Sequence, residues 1–247
     1  MNNPWYEQFF DDVYIDYLAK RGDIKETCDY LLNQFEVEPG ALILEQCCGT
    51  ADISRALAHR GYKIIGIDLS KDCIERACQL AESITSISYQ LADALTFIAN
   101  PCVDAVFNWY TSFGYTDSDK TNCQMINNAY ASLKDGGVYI LDYTNPAYIL
   151  QNYKPRIEIM LKDRPGKIIK EVEIDMNRAM ITTKWYYDFP ELKSAQRYKF
   201  GESKIYFPSA LKEMFLAAGF TDVKLHGNIN GESVTKDSPR NIIIGRK

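Results

Sequence analysis

The chain has 247 residues, of which 46% are hydrophobic and 25% are charged, and its formal net charge is −5. These values are ordinary for a globular protein made of one large domain or two small ones, and the acidic balance argues against nucleic acid as a partner. No apolar run approaches the ~20 residues that span a bilayer, so we predict no association with a membrane.

The N-terminus and the cysteines both favour a cytoplasmic location. The first residues are acidic and aromatic, and they lack the basic start and apolar stretch of a signal peptide. The seven cysteines include no Cys-x-x-Cys pair, and two histidines are too few for the usual zinc spacings. We therefore predict a cytoplasmic protein with reduced thiols and no metal.

The first half of the chain alternates strands and helices after about 35 residues of mostly helical character. Strands are predicted at residues 41–47, 62–70, 86–92, 104–110 and 138–144. The helices between them are predicted at 51–61, 71–83 and 119–137. This alternation predicts an α/β fold with a parallel sheet and right-handed crossovers.

The second half changes pattern. Three strand-like runs, at 167–176, 179–189 and 195–207, follow one another and predict an antiparallel meander inserted into the α/β fold. A helix then opens at Pro208, and two late strands are predicted at 222–228 and 240–246.

The chain is therefore expected to have four parts. They are an N-terminal helical lid at 1–36, an α/β core at 37–150, an inserted antiparallel β region at 151–207, and a C-terminal helix and strands at 208–247 that complete the core sheet.

Polar residues cluster where the predicted strands end. Glu45 and Gly49 follow the first strand, Asp68 ends the second, Asp93 follows the third and Asn108 ends the fourth. Ligands of open α/β sheets bind at this edge. Asp68 can accept hydrogen bonds from both hydroxyls of a ribose, and Asp93 can contact an adenine edge.

The turn after the first strand indicates which adenosine ligand binds. The glycine positions of the dinucleotide fingerprint G-x-G-x-x-G are occupied by Cys47, Gly49 and Asp52, and the carboxylate of Asp52 would repel a diphosphate. The phosphate-binding pattern G-x-x-x-x-G-K-[ST] is also missing. S-adenosylmethionine carries ribose and adenine with a cationic centre and no phosphate, so it suits Glu45, Asp52 and Asp68.

Five segments between residues 41 and 145 resemble, in order, the core of class I S-adenosylmethionine-dependent methyltransferases: LEQCCGTADIS, IIGIDLS, YQLADALTF, DAVFNWYTSFGY and LKDGGVYILDY. The resemblance implies a Rossmann-like fold with a doubly wound, mostly parallel seven-stranded sheet. It also implies that the cofactor S-adenosylmethionine is bound by Tyr14, Glu45, Cys47, Gly49, Asp68, Leu69, Asp93, Ala94 and Asn108.

A narrower resemblance concerns the acceptor. The patterns NWYTSFGY and WYEQFFDD are similar to those of a bacterial subgroup of small-molecule methyltransferases. Some relatives in that subgroup methylate amino sugars and carry a comparable β-meander over the active site. The resemblance implies N- or O-methylation of a small molecule, and the sequence leaves homodimer formation open.

Three residues are candidates for catalysis. Trp109 follows the fourth strand, where an acceptor would meet the methyl group, and His226 near the end of the chain could act as a base. Tyr14 belongs to an aromatic set that either forms a lid over the sulfonium or packs helices onto the sheet. The set comprises Trp5, Tyr6, Tyr14, Tyr17, Trp109, Tyr110 and Tyr115. Because this edge carries no clear base, we expect catalysis mainly by positioning.

Cys47 and Cys48 occupy the middle of the first motif. We expect them to point to opposite sides, one under the cofactor and one into the core, rather than to form a reactive pair. Cys47 and Ala51 stand where the motif usually has glycine, and we expect cysteine to be tolerated because the backbone there needs no positive φ.

Two other functions remain open from the sequence alone. One is a nucleotide-binding oxidoreductase, against which Asp52 and the missing third glycine argue. The other is a non-catalytic cofactor-binding scaffold on the same fold, since fold does not fix function.

Overall fold

The computed structural model describes residues 5–17, 22–161, 165–194 and 197–247, and the side chains of Glu7 and Tyr17 lie outside this description. Tyr17 of the predicted aromatic set is therefore not placed.

Seven strands form the main sheet, in the order β10-β11-β5-β4-β1-β2-β3. Their bounds are β1 Leu42–Gln46, β2 Lys63–Asp68, β3 Ile87–Leu91, β4 Val103–Asn108, β5 Leu133–Thr144, β10 Thr221–His226 and β11 Arg240–Arg246. Strands β1 to β5 pair in parallel, whereas β11 runs antiparallel to both β5 and β10. The prediction of a doubly wound, mostly parallel seven-stranded sheet is confirmed.

Helices cover both faces of this sheet. Their bounds are α1 Tyr6–Phe9, α2 Asp12–Tyr17, α3 Ile24–Phe35, α4 Asp52–His59, α5 Lys71–Leu80, α6 Asp119–Ser132, α7 Pro146–Gln151 and α8 Pro208–Ala218. Consecutive residues of a strand point to opposite faces, so Ile43 packs in the cluster under α3 and α4 while Leu44 packs in the cluster under α6 and α8. Both residues are fully buried, which explains why the first strand is a continuous apolar run.

A second sheet is antiparallel, in the order β6-β7-β8-β9. Its strands are β6 Arg156–Met160, β7 Lys167–Asp175, β8 Met180–Asp188 and β9 Tyr198–Lys204. The predicted meander is confirmed and has one strand more than expected. The extra strand β6 alternates exposed and half-buried residues with none fully buried, so it offered a weak apolar signal.

The N-terminal helices pack in two places. Helices α1 and α2 lie against β9 and α5, respectively, whereas α3 packs on α4 and on the main sheet. We call residues 5–17, which include α1 and α2, the lid segment. The division of the chain into four parts stays a prediction.

The boundary between α6 and β5 differs from the expected one. A helix was expected through residue 137, but α6 ends at Ser132 and β5 begins at Leu133. The Ser132 hydroxyl donates to the Asn128 carbonyl and accepts the Ala99 amide, and Leu133 pairs with Val103 of β4. Tertiary contacts therefore end the helix before the glycine pair.

No helix within the described ranges has the length and apolar character needed to cross a membrane. Those same residues contain no group of three or more histidine, cysteine or acidic side chains arranged to hold a metal ion.

Candidate active site

A cavity lies at the carboxyl edge of the main sheet, where β1, β2, β3 and β4 end. It measures about 900 Å³ when the open space at its mouth is included. Its lining is Tyr6, Phe10, Tyr14, Cys47, Gly49, Asp68, Leu69, Ser70, Cys73, Ala92, Asp93, Ala94, Leu95, Tyr110, Ser112, Phe113, Gly114, Tyr115, Thr116, Asn122 and Met125. We call this the first cavity.

Asp68 holds two loops at the floor of the first cavity. One carboxylate oxygen accepts the Gly49 amide and the other accepts the Ser70 amide, each at 2.8 Å. An ionised carboxylate has about four acceptor positions, so Asp68 can serve more partners than these two amides. The carboxylate thereby ties the turn after β1 to the start of α5.

The turn after β1 uses a left-handed backbone at three places. Cys47, Gly49 and Ala51 have φ values of 55°, 55° and 59°. The expectation that cysteine is tolerated because no positive φ is needed at Cys47 is wrong. Cys47 and Ala51 occupy a region that glycine adopts more readily, so the fold holds both residues in a strained conformation.

The two thiols face different surroundings. Cys47 lines the first cavity with its Sγ 3.9 Å from the Ser112 carbonyl oxygen, while Cys48 packs with Ala51 and Ala77. Burial, and then the carboxylate of Asp68, raise the pKa of both thiols well above the ordinary value. Both thiols stay protonated near neutrality, which agrees with the packing role.

The charge of the first cavity limits what it can bind. Asp68 and Asp93 are its acidic lining residues, and among the residues that the structure describes no lysine or arginine lines it. One oxygen of Asp93 accepts the Leu95 amide at 2.8 Å, which fixes the turn after β3. An acidic, partly apolar lining fits a cationic adenosine ligand and does not fit a pyrophosphate.

Two residues predicted to bind the cofactor lie behind the lining of the first cavity. Glu45 is buried and accepts the Ser54 hydroxyl, and Asn108 is fully buried and donates to the Ser112 carbonyl at 3.0 Å. Neither lines the first cavity. Asn108 instead holds the segment after β4 that forms part of the cavity wall.

Glu45 does reach a narrow void beside the first cavity. The void shares Cys47 and Tyr110 with that cavity, and its full lining is Glu45, Cys47, Cys48, Thr50, Asp52, Ile53, Trp109 and Tyr110. Asp52 forms an ion pair with Arg55, so part of its negative charge is compensated. Glu45 is thus the better placed of the two carboxylates to receive a cation here.

A second cavity lies between the lid segment and the second sheet. It encloses about 870 Å³, its open mouth included. Its lining is Trp5, Phe9, Phe10, Tyr14, Tyr110, Thr111, Tyr115, Lys170, Thr183, Trp185, Gly201, Glu202 and Ser203. Four aromatic residues belong to both cavities, and we call them the shared aromatic wall: Phe10, Tyr14, Tyr110 and Tyr115.

The lid segment packs tightly on this wall. The Tyr115 ring lies 4.8 Å from the Trp5 ring and stacks on Tyr6, and the Phe10 ring lies 4.8 Å from Tyr14. On the other side, Gly201 of β9 makes room for Trp5, since a Cβ at that glycine would lie 3.2 Å from the indole. The aromatic residues therefore pack the lid and line the cavities at once.

The end of β4 holds a strained turn between the two cavities. Tyr110 and Thr111 have φ values of 64° and 65°. The Asp142 carboxylate accepts the Tyr110 amide at 2.9 Å, and its carbonyl accepts the Thr111 amide at 3.2 Å. Arg240 forms an ion pair with Asp142, so β5 and β11 together fix Tyr110 in the wall.

The sequence matches a known family over the segment that builds the first cavity. Residues 43–137 match the family described as methyltransferase domain. The chain carries a methyltransferase domain and acts as an S-adenosylmethionine-dependent methyltransferase. This match favours methyl transfer over the oxidoreductase and scaffold alternatives.

Relatives of this methyltransferase agree in fold over nearly the whole chain. It is 25% identical over 211 residues to the demethylmenaquinone methyltransferase of Staphylococcus saprophyticus, covering 81% of this chain and 79% of the relative. The CcbJ methyltransferase from Streptomyces caelestis has a similar fold, with a TM-score of 0.81 at 16% identity over 100% of this chain and 99% of that chain. A sugar N-methyltransferase from a Streptoalloteichus species has a TM-score of 0.71 at 16% identity, over 94% of this chain and 91% of that chain.

The structure brings seven of the nine predicted cofactor residues of the methyltransferase to the first cavity. These are Tyr14, Cys47, Gly49, Asp68, Leu69, Asp93 and Ala94. Their roles toward the cofactor stay predictions, as do those of Glu45 and Asn108. The sequence missed Phe10 and most of the segment from Ser112 to Thr116, although Tyr110 and Tyr115 belonged to the predicted aromatic set.

Two catalytic candidates of the methyltransferase lie outside both cavities. Trp109 is buried with its ring 6.1 Å from Tyr30 of α3, on the far side of the wall, where it reaches only the narrow void. The His226 Nδ1 lies 2.8 Å from the Tyr30 hydroxyl, and burial, with Lys224 nearby, lowers the pKa of His226. Only Tyr14 of the three candidates lines the cavities.

Lys170, by contrast, was not expected near the site. It lies on β7 and lines the second cavity. No sequence pattern distinguishes Lys170, because it is one of several lysines in strands of ordinary amphipathic pattern. Only the pairing of β7 with β8 brings it beside Trp185.

Proposed function

We propose that this methyltransferase transfers the methyl group of S-adenosylmethionine to a nitrogen or oxygen atom of a small molecule held in the second cavity. The observation that carries the proposal is that the two cavities share one aromatic wall, formed by Phe10, Tyr14, Tyr110 and Tyr115. A cofactor in the first cavity and an acceptor in the second cavity would then lie next to each other at these four residues.

The cofactor lies in the first cavity with its parts in a fixed order. Asp68, which accepts the Gly49 and Ser70 amides, would also accept the ribose hydroxyls. Leu69, Asp93 and Ala94 would hold the adenine. Glu45, which lines the narrow void next to Cys47, would offset the ammonium charge of the amino-acid end.

The sulfonium of the bound cofactor supplies an activated methyl group that reacts by in-line displacement. The protein's share is to align the acceptor, and well-oriented reactants gain roughly 7–11 kcal/mol from such positioning. Tyr14 and Tyr115 of the shared wall exclude water from the transfer point and hold the acceptor's approach direction. Burial raises the pKa of Tyr115, so its phenol stays neutral and adds no charge there.

The size and lining of the second cavity support a small acceptor. About 340 Å³ of the second cavity is accessible to a ligand, at the lower end of the range for small-molecule sites. No histidine lines it within the described part of the chain, so the acceptor there has no histidine base beside it. The similarity to a sugar N-methyltransferase supports the same direction. The seven free cysteines support a cytoplasmic setting.

One pair of variants tests the location of the acceptor. Thr183 lines the second cavity, while its neighbour Thr182 points to the other face of β8 and lies within 3.3 Å of Glu202. Thr183→Trp fills the cavity and should lower methyl transfer at least tenfold without changing cofactor affinity. Thr182→Trp is the matched control and should transfer at close to the wild-type rate.

The assay uses S-adenosylmethionine carrying a tritiated methyl group and a panel of amines, amino sugars and hydroxylated small molecules. Calorimetry with S-adenosylhomocysteine reports cofactor affinity separately. Normal transfer by Thr183→Trp would show that the acceptor lies elsewhere. A wild-type protein that binds the cofactor but methylates no small molecule in the panel would overturn the proposed acceptor class.

A further inference from the structure

The inner face of the second sheet carries two lysines with different surroundings. Side chains alternate along β7, β8 and β9, so Lys170, Trp185 and Lys199 lie side by side in register on the face that looks toward the lid segment. Lys199 is buried, forms an ion pair with Asp11 and donates to the Gln8 carbonyl at 3.1 Å. Its charge is therefore compensated by the lid.

Lys170 has no such compensation. Its Nζ lies 4.7 Å from the centre of the Trp185 ring, and within the described ranges no carboxylate lies within ion-pair distance of it. The other paired lysines of this sheet show the contrast: Lys167 with Glu158 at 2.9 Å, Lys184 with Glu173 at 3.0 Å, and Lys204 with Asp119 at 3.2 Å. Lys170 therefore faces the cavity with the Trp185 ring beside it, while Glu202, the acidic residue of the lining, accepts from Thr182 on the other face of the sheet.

An ammonium in this position is poorly solvated. Burial lowers the pKa of Lys170, which means that the surroundings disfavour its charged form. A cation–π contact offsets part of that cost. An anion placed in the cavity would offset much more, because opposite charges attract strongly away from water. The same face also presents Ser203 to the cavity, a hydroxyl able to donate to such an anion.

We propose that Lys170 binds an anionic group, a carboxylate or a phosphate, on the methyl acceptor. The inference rests on the proposed function, and it narrows the acceptor to small molecules that carry an acidic group. Lys170 lines the second cavity and not the first, so the acidic group is held away from the transferred methyl. Lys170 is therefore a specificity residue for one end of the acceptor, while the shared aromatic wall orients the other end.

The test compares three small probes that differ in charge. Benzoate and phenyl phosphate carry the two candidate anions, and benzamide is the neutral counterpart of benzoate. Each probe is titrated by calorimetry into the protein saturated with S-adenosylhomocysteine. The variants are Lys170→Met, Lys170→Arg and the matched control Lys167→Met, which removes a half-buried, paired lysine of the same strand.

We expect the wild type to bind one of the two anions at least tenfold more tightly than benzamide. Lys170→Met should lose at least tenfold of that affinity, Lys170→Arg should retain most of it, and Lys167→Met should not change it. Whichever of benzoate and phenyl phosphate binds more tightly shows whether the site prefers a carboxylate or a phosphate. The proposal is overturned if neither anion binds below 10 mM, if benzamide binds equally well, or if Lys170→Met binds the anions normally.

Failure of this inference can be distinguished from failure of the proposed function. Binding of the anions requires no turnover, so absence of methyl transfer with the panel of acceptors would not remove a Lys170-dependent anion site. Conversely, normal methyl transfer with no Lys170-dependent binding would overturn this inference alone. Binding of S-adenosylhomocysteine to Lys170→Met should equal that of the wild type and reports an intact fold.

Discussion

The substitution Asp68→Asn tests the cofactor site most directly. Each oxygen of Asp68 accepts one backbone amide at 2.8 Å, from Gly49 and from Ser70. Asparagine keeps the shape but replaces one oxygen with an NH₂ group, which cannot accept an amide or a ribose hydroxyl. One charge-assisted contact to the ribose is lost and the other becomes neutral.

The expected size follows from these bonds. A hydrogen bond to a charged group contributes about 1.5–3 kcal/mol, and each 1.4 kcal/mol is a tenfold change in affinity. Asp68→Asn should therefore weaken S-adenosylmethionine binding roughly 10- to 140-fold. Calorimetry on the purified variant measures this, and circular dichroism checks that the fold is retained.

Asp104→Asn is the matched control. Asp104 also accepts a backbone amide, from Leu42 at 2.8 Å, and it forms an ion pair with Lys134, but it stands near the start of β4 at the opposite edge of the sheet. It should lower stability and leave cofactor affinity unchanged. Cofactor affinity within twofold of wild type in Asp68→Asn, or an equal loss in both variants, would refute the assignment of the ribose to Asp68.

Two further variants probe the lid segment and His226, the residue first considered as a base. Ser70 is the N-cap of α5, and its hydroxyl also donates to the Phe10 carbonyl. Ser70→Ala should therefore cost about 1 kcal/mol of stability and reduce the thermal stabilisation that S-adenosylmethionine gives. Retention of full stabilisation would mean that the lid segment is held by other contacts. His226→Ala removes the hydrogen bond to Tyr30 and the contact between the two rings, so kcat should fall less than threefold while stability falls by about 1 kcal/mol. A 10²-fold fall in kcat would instead support His226 as a general base.

The sequence predicted the main sheet well because its strands are distinct apolar runs. Residues 240–246 were predicted as a strand and form β11, since the run Ile242, Ile243, Ile244 is isolated between polar segments. Strand β6 was missed because it has no buried face of its own. The end of α6 was misplaced because the contacts of Ser132 and Leu133 come from residues 30 or more positions away.

The site was predicted where a residue type determines its chemistry. An acid at the end of β2 could be assigned from its position alone, and Asp68 lines the cavity. The left-handed backbone at Cys47 could not be predicted, because cysteine rarely adopts it and only the folded turn requires it. Trp109 illustrates a different limit. Its side chain continues the alternation of Ala105 and Phe107 in the cluster under α3 and α4, so it points away from the two cavities.

The lid segment has a consequence for how the enzyme opens. Neighbouring residues attach it to opposite partners: the Phe10 carbonyl to Ser70 and Cys73 of α5, and the Asp11 carboxylate to Lys199 of β9. These two attachments stand on adjacent residues, so forming one contact raises the effective concentration of the partners of the other. We therefore expect the two attachments to break together, which would uncover both cavities in one movement and let the spent cofactor and the methylated product leave by the same route.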